Sequence, residues 1–500
     1  MTPAPPGPPV PPAPPAPPGP PVPPAPPGPP VPSGAPGRAR PLPAALAREL
    51  ADVVGPAHVL TGAETAGYAL DWTGRFQGAT PAVVRPRDTA EVAAVLSLCA
   101  AAGQPVVPQG GNTGLVGGGV PLRGEVVLSL RRLDDLGPVD EAAAQVSAGA
   151  GVTLAHVADA HPDLELGVLI ASRDSATVGG AIATNAGGLR VLRHGPMRAQ
   201  VRGIEAVLSD GTVIEHMAGL TKDNTGYDYP SLLAGSEGTL AVITRARLRL
   251  VPRPRALVVA VVGLPGLAAA HQLATATARE VPGLVAAEFF TQAGLDVLAR
   301  HAGLPPPLEP PAPVYLLLEV EAAGEDPADA LAALAEVVGD APAAVARTPT
   351  ERARLWAYRE RQPEVAGFLG TPLKLDVAVP SGAWVRLASE VGDVVAAVDP
   401  GAAVITFGHI VDGNVQVNIV PAAAADGRHQ DVVLRFVAEL GGSISAEHGI
   451  GALKADWLPL SRSPAERALL AGIRAAFDPA GILNPSVPPH LPERPSPRTR

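Results

Sequence analysis

Several things are scarce in this chain, and each scarcity excludes something. There is one cysteine in 500 residues, Cys99. It can form no internal disulfide, and no metal site of clustered thiolates can exist. Its setting, AEVAAVLSLCAAAG, reads as an amphipathic helix, so a buried and inert thiol is expected. No basic-then-apolar leader opens the sequence. No apolar run reaches the ~20 residues that cross a bilayer. The longest, ALVVAVVGLPGLAAA from Ala256, is broken by Pro265 and Gly266 and reads as a strand followed by a helix. A cytoplasmic protein is expected, with peripheral membrane contact left open. The net charge of −10 argues against a dedicated nucleic-acid binder.

Lysine and asparagine are nearly absent as well. Lys222, Lys374 and Lys454 are the only lysines among 38 basic residues. The six asparagines are Asn112, Asn185, Asn224, Asn414, Asn418 and Asn484. Abundant Ala, Gly, Pro and Arg suggest a GC-rich genome that depletes Lys and Asn codons. The survivors should then mark places where an amide or a compact ammonium is needed. None of the nine falls in the helical stretch 256–350.

What is present is organised in blocks. PAPPGPPVP recurs from Pro3, Pro15 and Pro24, and residues 1–44 are expected to form an extended polyproline tail without a core. Short apolar strands alternate with Ala-rich helices over 45–255. A second α+β region covers 256–455, and a helix with a Pro-terminated turn covers 456–488. Residues 489–500 again read as disordered. The length suits two or three domains at roughly 100–200 residues each.

Three glycine clusters stand out in the first block. PVVPQGGNTGLVGGG ends a strand-like run with Gly110, Gly111, Asn112, Thr113 and Gly114. Glycines permit positive φ and close backbone approach, so successive amides can form an anion nest for a phosphate or pyrophosphate. The loop is neither a Walker loop nor a Rossmann G-x-G-x-x-G. SRDSATVGGAIATNAGGLRVLRHG and LTKDNTGYDYPSLLAGSEGTLAVIT are the second and third clusters. Together they suit an elongated dinucleotide held by backbone amides.

A polar knot, FGHIVDGNVQVN (407–418), stands out in the second block. Asp412-Gly413 is a strong two-residue hairpin signal. Such a turn would set His409 opposite Gln416 on one sheet face, close enough for both to reach one ion. Asn414 and Asn418 share that face by period-two alternation.

These stretches, together with EHGIG and FDPAGILNP, resemble the FAD-linked D-2-hydroxyacid dehydrogenases. That group holds D-lactate and D-2-hydroxyglutarate dehydrogenases and the glycolate oxidase flavin subunit, within the vanillyl-alcohol-oxidase flavoprotein superfamily. The motifs run in order over roughly 45–488. The resemblance implies an α+β, two-domain flavoprotein. Its FAD domain has two α+β subdomains, and its substrate domain has an antiparallel sheet with flanking helices. It implies that Gly110, Gly111, Asn112, Thr113 and Gly114 cradle the FAD pyrophosphate. Ser175, Thr177, Gly179, Gly180, Thr184, Asn185, Gly187 and Gly188 line the rest. Gly235, Glu237 and Gly238 close the domain, and Asn484 adds a further contact. No histidine lies between His58 and His156, so FAD is expected to be non-covalent.

By the same resemblance His448 is the catalytic base, Arg359 and Lys374 bind substrate carboxylate, and Asn418 belongs to the catalytic set. His409, Gln416 and Glu447 fall at the family's divalent-metal positions, usually zinc. There the family has a second histidine where this chain has Gln416, and a glycine where it has Val411. An amide oxygen is a weak zinc ligand and a more ordinary one for harder cations such as manganese. Three readings stand side by side: a weaker or different metal, a site run by hydrogen bonds alone, or impaired catalysis or a changed substrate. Pro363, where the hydroxyglutarate branch has a threonine, offers neither hydroxyl nor N–H. The expected reaction is oxidation of a D-2-hydroxy acid, with electrons passed to a quinone, a cytochrome or an electron-transferring flavoprotein. The alternatives are an oxygen-using oxidase and a non-catalytic flavin-binding scaffold. A homodimer is compatible with the resemblance, and no nucleic-acid or membrane-spanning role is expected.

Overall fold

A computed structural model of the chain describes residues 39–421 and 427–490. Most of the expected proline-rich tail and of the closing tail lies outside the described residues.

Three sheets carry the fold. The first takes β1 (Val59–Leu60), β2 (Val83–Val84), β3 (Val106–Gln109) and β4 (Val126–Ser129) in the order β1-β2-β4-β3. Helix Thr89–Ala101 starts where the Asp88 carboxylate accepts the Glu91 N–H, an N-cap that satisfies one orphan donor. It buries Val92, Val95, Leu96 and Cys99 in the first core. Desolvation pushes the Cys99 thiol up to about 12, which makes it inert. The open edge of β3 is covered from far along the chain. Val106 N–H donates to the Ile482 carbonyl and Asn484 N–H to the Val106 carbonyl, both at 2.8 Å.

The second sheet is antiparallel, from β5 (Gln145–Gly149), β6 (Leu164–Leu166), β7 (Val201–Val207), β8 (Val213–His216) and β9 (Val242–Pro252). Helix Val178–Ala183 packs Val178, Ala181 and Ile182 into its core. These two α+β units precede the third sheet in the chain.

The third sheet has seven antiparallel strands. They are β10 (Leu257–Leu264), β11 (Leu284–Thr291), β12 (Val314–Glu321), β13 (Ala343–Ala346), β14 (Leu373–Ala378), β15 (Ala403–His409) and β16 (Asn414–Val420), ordered β13-β10-β12-β11-β15-β16-β14. One face is apolar throughout: Val258, Ala260, Leu316, Leu318, Phe289, Leu375, Val417 and Ile419 share a core with Trp384. The other face changes along the sheet. On β10 and β12 it carries Val259, Val261, Tyr315 and Leu317, with one buried acid, Glu319. Strand side chains alternate with period two, so on β11, β14, β15 and β16 the same face carries Glu288, Lys374, Asp376, His409, Asn414, Gln416 and Asn418.

The β15–β16 connection corrects the expected hairpin. The strands pair Phe407 with Gln416 and Ile405 with Asn418, so residues 410–413 form a four-residue turn and His409 is not opposite Gln416. The cause is β11. β15 stays paired with it through His409, and Ile410 N–H still donates to the Ala287 carbonyl at 3.2 Å. Glycine is required at 413, where φ is +75° and a Cβ would sit 2.2 Å from the Val379 carbonyl oxygen. The register differs from the expected one by two residues, which preserves the face.

Candidate active site

Each polar side chain on that face has a charged or polar neighbour on the next strand. β11 sets Glu288 opposite His409. β14 sets Asp376 opposite Gln416, and Lys374 opposite Asn418. Glu288 is 1% exposed and divides its carboxylate between two cations. One oxygen lies 2.5 Å from His409 Nδ1 and the other accepts Arg359 Nε–H at 2.6 Å. The Arg359 guanidinium also stacks over the Phe407 ring at 4.8 Å. Arg359 therefore has one edge committed inside the protein.

His409 Nε2 faces Glu447 Oε1 at 3.6 Å. Burial alone would push the imidazole down, but the Glu288 and Glu447 carboxylates outweigh it and hold it up to about 10. Burial would likewise raise Glu447, yet His409 holds it below the usual carboxylate range. Asp412, in the turn, is pushed up to about 6 by burial against the opposing pull of His409. A cavity of about 290 Å³ opens beside His409, Asp412 and Glu447 and reaches Asn185 and Gly187.

Glu447 and His448 come from the 443–451 loop. Asp376 holds that loop: its Oδ2 accepts the backbone N–H of Glu447 at 2.7 Å and of His448 at 3.1 Å. The first block holds it too. Gly188 N–H donates to Glu447 Oε1 at 2.9 Å, and a Cβ on Gly187 would sit 2.7 Å from the same oxygen. In return the Glu237 carboxylate accepts the N–H groups of Ile450 and Gly451, both at 2.8 Å. Burial raises Glu237, and those two amides work against the rise. Lys454 is buried beside them, donates to the Asp376 carbonyl at 3.2 Å, and is lowered to about 8 by desolvation. Lys374 Nζ reaches the Pro363 carbonyl at 3.4 Å, and burial lowers it too.

The expected cofactor residues converge around the glycine loop. A Cβ on Gly110 would lie 2.2 Å from Thr177 Oγ1, and one on Gly111 2.0 Å from the Ser175 carbonyl oxygen. Arg131 ties the Gly110 and Gly111 carbonyls from behind, at 3.2 and 3.1 Å. Gly114 faces open space. Asn185 Oδ1 accepts Arg198 N–H, Thr184 Oγ1 turns back to the Gly180 carbonyl, and Asn484 Nδ2 donates to the Gly118 and Glu237 carbonyls. Among the described residues five non-glycines have positive φ, and four of them are Asn112, Asn185, Glu237 and Asn484. Such backbone persists only where its surroundings impose it. Thr177 Oγ1, Ser236 Oγ and Asn484 Oδ1 are buried without a hydrogen-bond partner among the described residues. Orphaned oxygens beside glycine backbones fit a hydrogen-bonding, phosphate-bearing cofactor. By contrast, Lys222 and Asn224 sit on the exposed stretch 220–228.

The metal donors are divided. Any two donors of one zinc-sized ion, each ~2.0–2.2 Å from it, lie within ~4.4 Å of each other. The 3.6 Å between His409 Nε2 and Glu447 Oε1 meets that limit. A carboxylate behind the far ring nitrogen, as Glu288 is, also suits a metal-bound histidine. Gln416 donates its Nε2 to Asp376 Oδ1 at 3.0 Å, so only its amide oxygen is left to serve. A carboxamide oxygen would suit a hard divalent cation better than zinc, and among the described residues the acid and imidazole groups whose ligand atoms lie within 4.8 Å of one another are Asp376, Glu447 and His448.

Two carboxylates, Glu288 and Asp376, are central here and were not among the expected site residues. Each is a lone acid in an apolar strand, LVAAEFFT and LKLDVA. A buried strand has no reason to carry an unpaired acid, and that was the available signal.

Residues 80–216 match the FAD binding domain family, and residues 253–487 match the C-terminal domain of FAD linked oxidases. The mitochondrial D-2-hydroxyglutarate dehydrogenase of Bos taurus is 37% identical over 433 residues, covering 83% of this chain and 78% of that protein. The D-2-hydroxyglutarate dehydrogenase of Stutzerimonas stutzeri (strain A1501) is 35% identical over 456 residues, covering 88% and 98%. Among solved structures, p-cresol methylhydroxylase with substrate bound superposes with a TM-score of 0.70 at 15% identity, covering 88% of this chain and 96% of that one. Alkyldihydroxyacetonephosphate synthase gives 0.68 at 16%, covering 91% and 87%. At those identities the structural likeness shows the fold alone, the vanillyl-alcohol-oxidase type.

Proposed function

Because the chain belongs to the family of FAD-linked D-2-hydroxyacid dehydrogenases, we propose that it oxidises the C2 hydroxyl of a D-2-hydroxy acid to the 2-oxo acid. One observation supports this most directly. The 443–451 loop, with Glu447 and His448, is bonded to Gly188 of the glycine-rich block at 2.9 Å, so the candidate base and the cofactor region meet.

Bound FAD, held non-covalently by the glycine loop and the 175–188 stretch, supplies the hydride acceptor. The protein does the rest. His448 takes the hydroxyl proton, a role suited to imidazole near neutral pH. Lys374, whose hydrogen-bond partner among the described residues is the Pro363 carbonyl at 3.4 Å, receives a substrate carboxylate. Asn418, opposite Lys374 on the next strand, orients the acid by hydrogen bonding. Arg359 adds charge from behind, its Nε edge being taken by Glu288. His409, Glu447 and the Gln416 amide oxygen would hold a hard divalent cation such as manganese, which polarises a bound hydroxyl or carboxylate. Electrons then leave to a carrier: a quinone, a cytochrome or an electron-transferring flavoprotein.

D-2-hydroxyglutarate is the first substrate to try, since relatives carry that name. D-Lactate is the second, because Pro363 offers a distal carboxylate no hydroxyl and no N–H. The test is anaerobic titration of the FAD-loaded protein with each acid, with and without manganese or zinc, following flavin absorbance. Bleaching by one acid is expected, stronger with manganese than with zinc. A flavin that dithionite bleaches and no D-2-hydroxy acid does would overturn the reading.

A further inference from the structure

Asp376 is a fully buried carboxylate, 1% exposed, in the middle of β14. The mechanism above gives it no part, yet it touches more of the site than any residue that has one. Its Oδ1 accepts the side-chain amides of Asn414 at 2.7 Å and Gln416 at 3.0 Å. Its Oδ2 accepts the backbone N–H groups of Glu447 and His448, and lies 3.7 Å from His448 Nδ1. Its own carbonyl accepts Lys454 Nζ. Four hydrogen-bond donors fill the lone pairs of this carboxylate, and they would have to give way before it joined Glu447 and His448, whose ligand atoms lie within 4.8 Å, on an ion. It acts through its neighbours.

We propose that Asp376 is the positioning residue of the reaction, fixing in one place the base, the adjoining carboxylate and the direction of two amides. This rests on the reading that His448 takes the hydroxyl proton. The argument is one of polarity. An ionised carboxylate only accepts, so both amides must turn their NH2 groups towards it and their oxygens away. Asn414 Oδ1 is accordingly left buried and without a partner among the described residues, its NH2 group being shared between Asp376 Oδ1 at 2.7 Å and the Val377 carbonyl at 3.1 Å. On the other oxygen, two successive backbone N–H groups and the Nδ1 edge of His448 share one anion. That fixes the base by its backbone and turns the Nδ1 edge of its ring towards the anion at 3.7 Å, leaving Nε2 for the substrate. A misplacement of ~1 Å in such a group can slow a reaction ~10²-fold.

Asp376→Asn tests this, because its shape is unchanged and its polarity is not. One asparagine oxygen can still accept the two backbone N–H groups. Its NH2 then meets two other NH2 groups, and the amides must flip. The measurement is anaerobic stopped-flow reduction of bound FAD by whichever of D-2-hydroxyglutarate and D-lactate bleaches the wild type. A ~10²-fold fall in the limiting rate is expected, with FAD content, melting temperature and half-saturating acid close to wild type. Asp376→Glu keeps the charge but moves it by one methylene, and the same slow limiting rate is expected. A wild-type limiting rate in either folded, FAD-loaded variant would overturn the proposal. So would loss of FAD and of folded protein in both, since Asp376 would then only staple the fold. If no acid bleaches the wild type, the proposed function fails first, and the two failures are told apart.

Discussion

Two halves of one sheet face make the instructive comparison. On β10 and β12 the face is Val259, Val261, Tyr315 and Leu317 with a single buried acid, Glu319, which accepts Trp356 Nε1–H at 3.0 Å from the covering helix Pro349–Glu360. A few strands away, the same face in the same period-two alternation carries Glu288, His409, Gln416, Asp376 and Lys374. Backbone and twist are shared, and only the side chains differ. The apolar half gains from removing carbon surface from water, at about 25 cal/mol per Å². The polar half gains nothing of that kind, and holds together because each acid has its cations and amides within hydrogen-bond reach. A core becomes a site when its alternating positions are filled with mutually saturating charge.

The sharpest way to separate the halves is His448→Ala. Flavin reduction by the acid should fall by about 10³-fold, within the range for a lost general base. FAD should stay bound, and stopped-flow absorbance checks both. Next is Glu288→Leu, which gives the polar half an apolar residue and strands His409 and Arg359. We expect a stability loss of about 3–5 kcal/mol in denaturant titration, together with lost activity. Leu317→Ala in the apolar half should cost about 2–4 kcal/mol with the limiting rate of flavin reduction unchanged. If activity falls equally in the last two variants, the halves are not functionally distinct.

The smallest effect is a pH signature confined to the polar half. The His409 imidazole is held at about 10 when folded, above its ordinary 6.5, by Glu288 and Glu447. Its share of stability is therefore full below 6.5 and is withdrawn as the pH rises through 10. Lys454 works in the opposite sense, its folded value of about 8 lying below the ordinary 10.5. In the metal-free protein, melting temperature should then fall between about pH 6.5 and 8 and flatten above. Glu288→Gln should shrink the fall. An unchanged slope in that variant would detach Glu288 from the His409 charge.

Much of this was legible in the sequence. The glycine clusters carry their own physics, because positive φ and close approach are demands that few residues meet. The scarce asparagines pointed to the same places: Asn112, Asn185 and Asn484 all adopt positive φ. The face shared by His409, Asn414, Gln416 and Asn418 was legible because alternation survives a two-residue slip. The register itself was not, since β11 decides where β15 ends and local turn chemistry cannot know of β11. Glu288 and Asp376 went unseen for a related reason. An acid in an apolar strand reads as a surface charge until its partners, 121 residues away at His409 for Glu288 and 71 at Glu447 for Asp376, are brought beside it.

The late return of the chain to β3 bears on how the protein is made. Asn484 is bonded to Gly118 across 366 residues of sequence, and Ile482 to Val106. While the chain emerges from a ribosome, the edge of β3 stays unpaired until residues 482–484 have been synthesised. An open strand edge is a template for the wrong partner. Chaperone dependence should therefore track the interval before residue 482 appears, and chains halted short of it should aggregate through the first sheet even though the seven-stranded sheet is already complete.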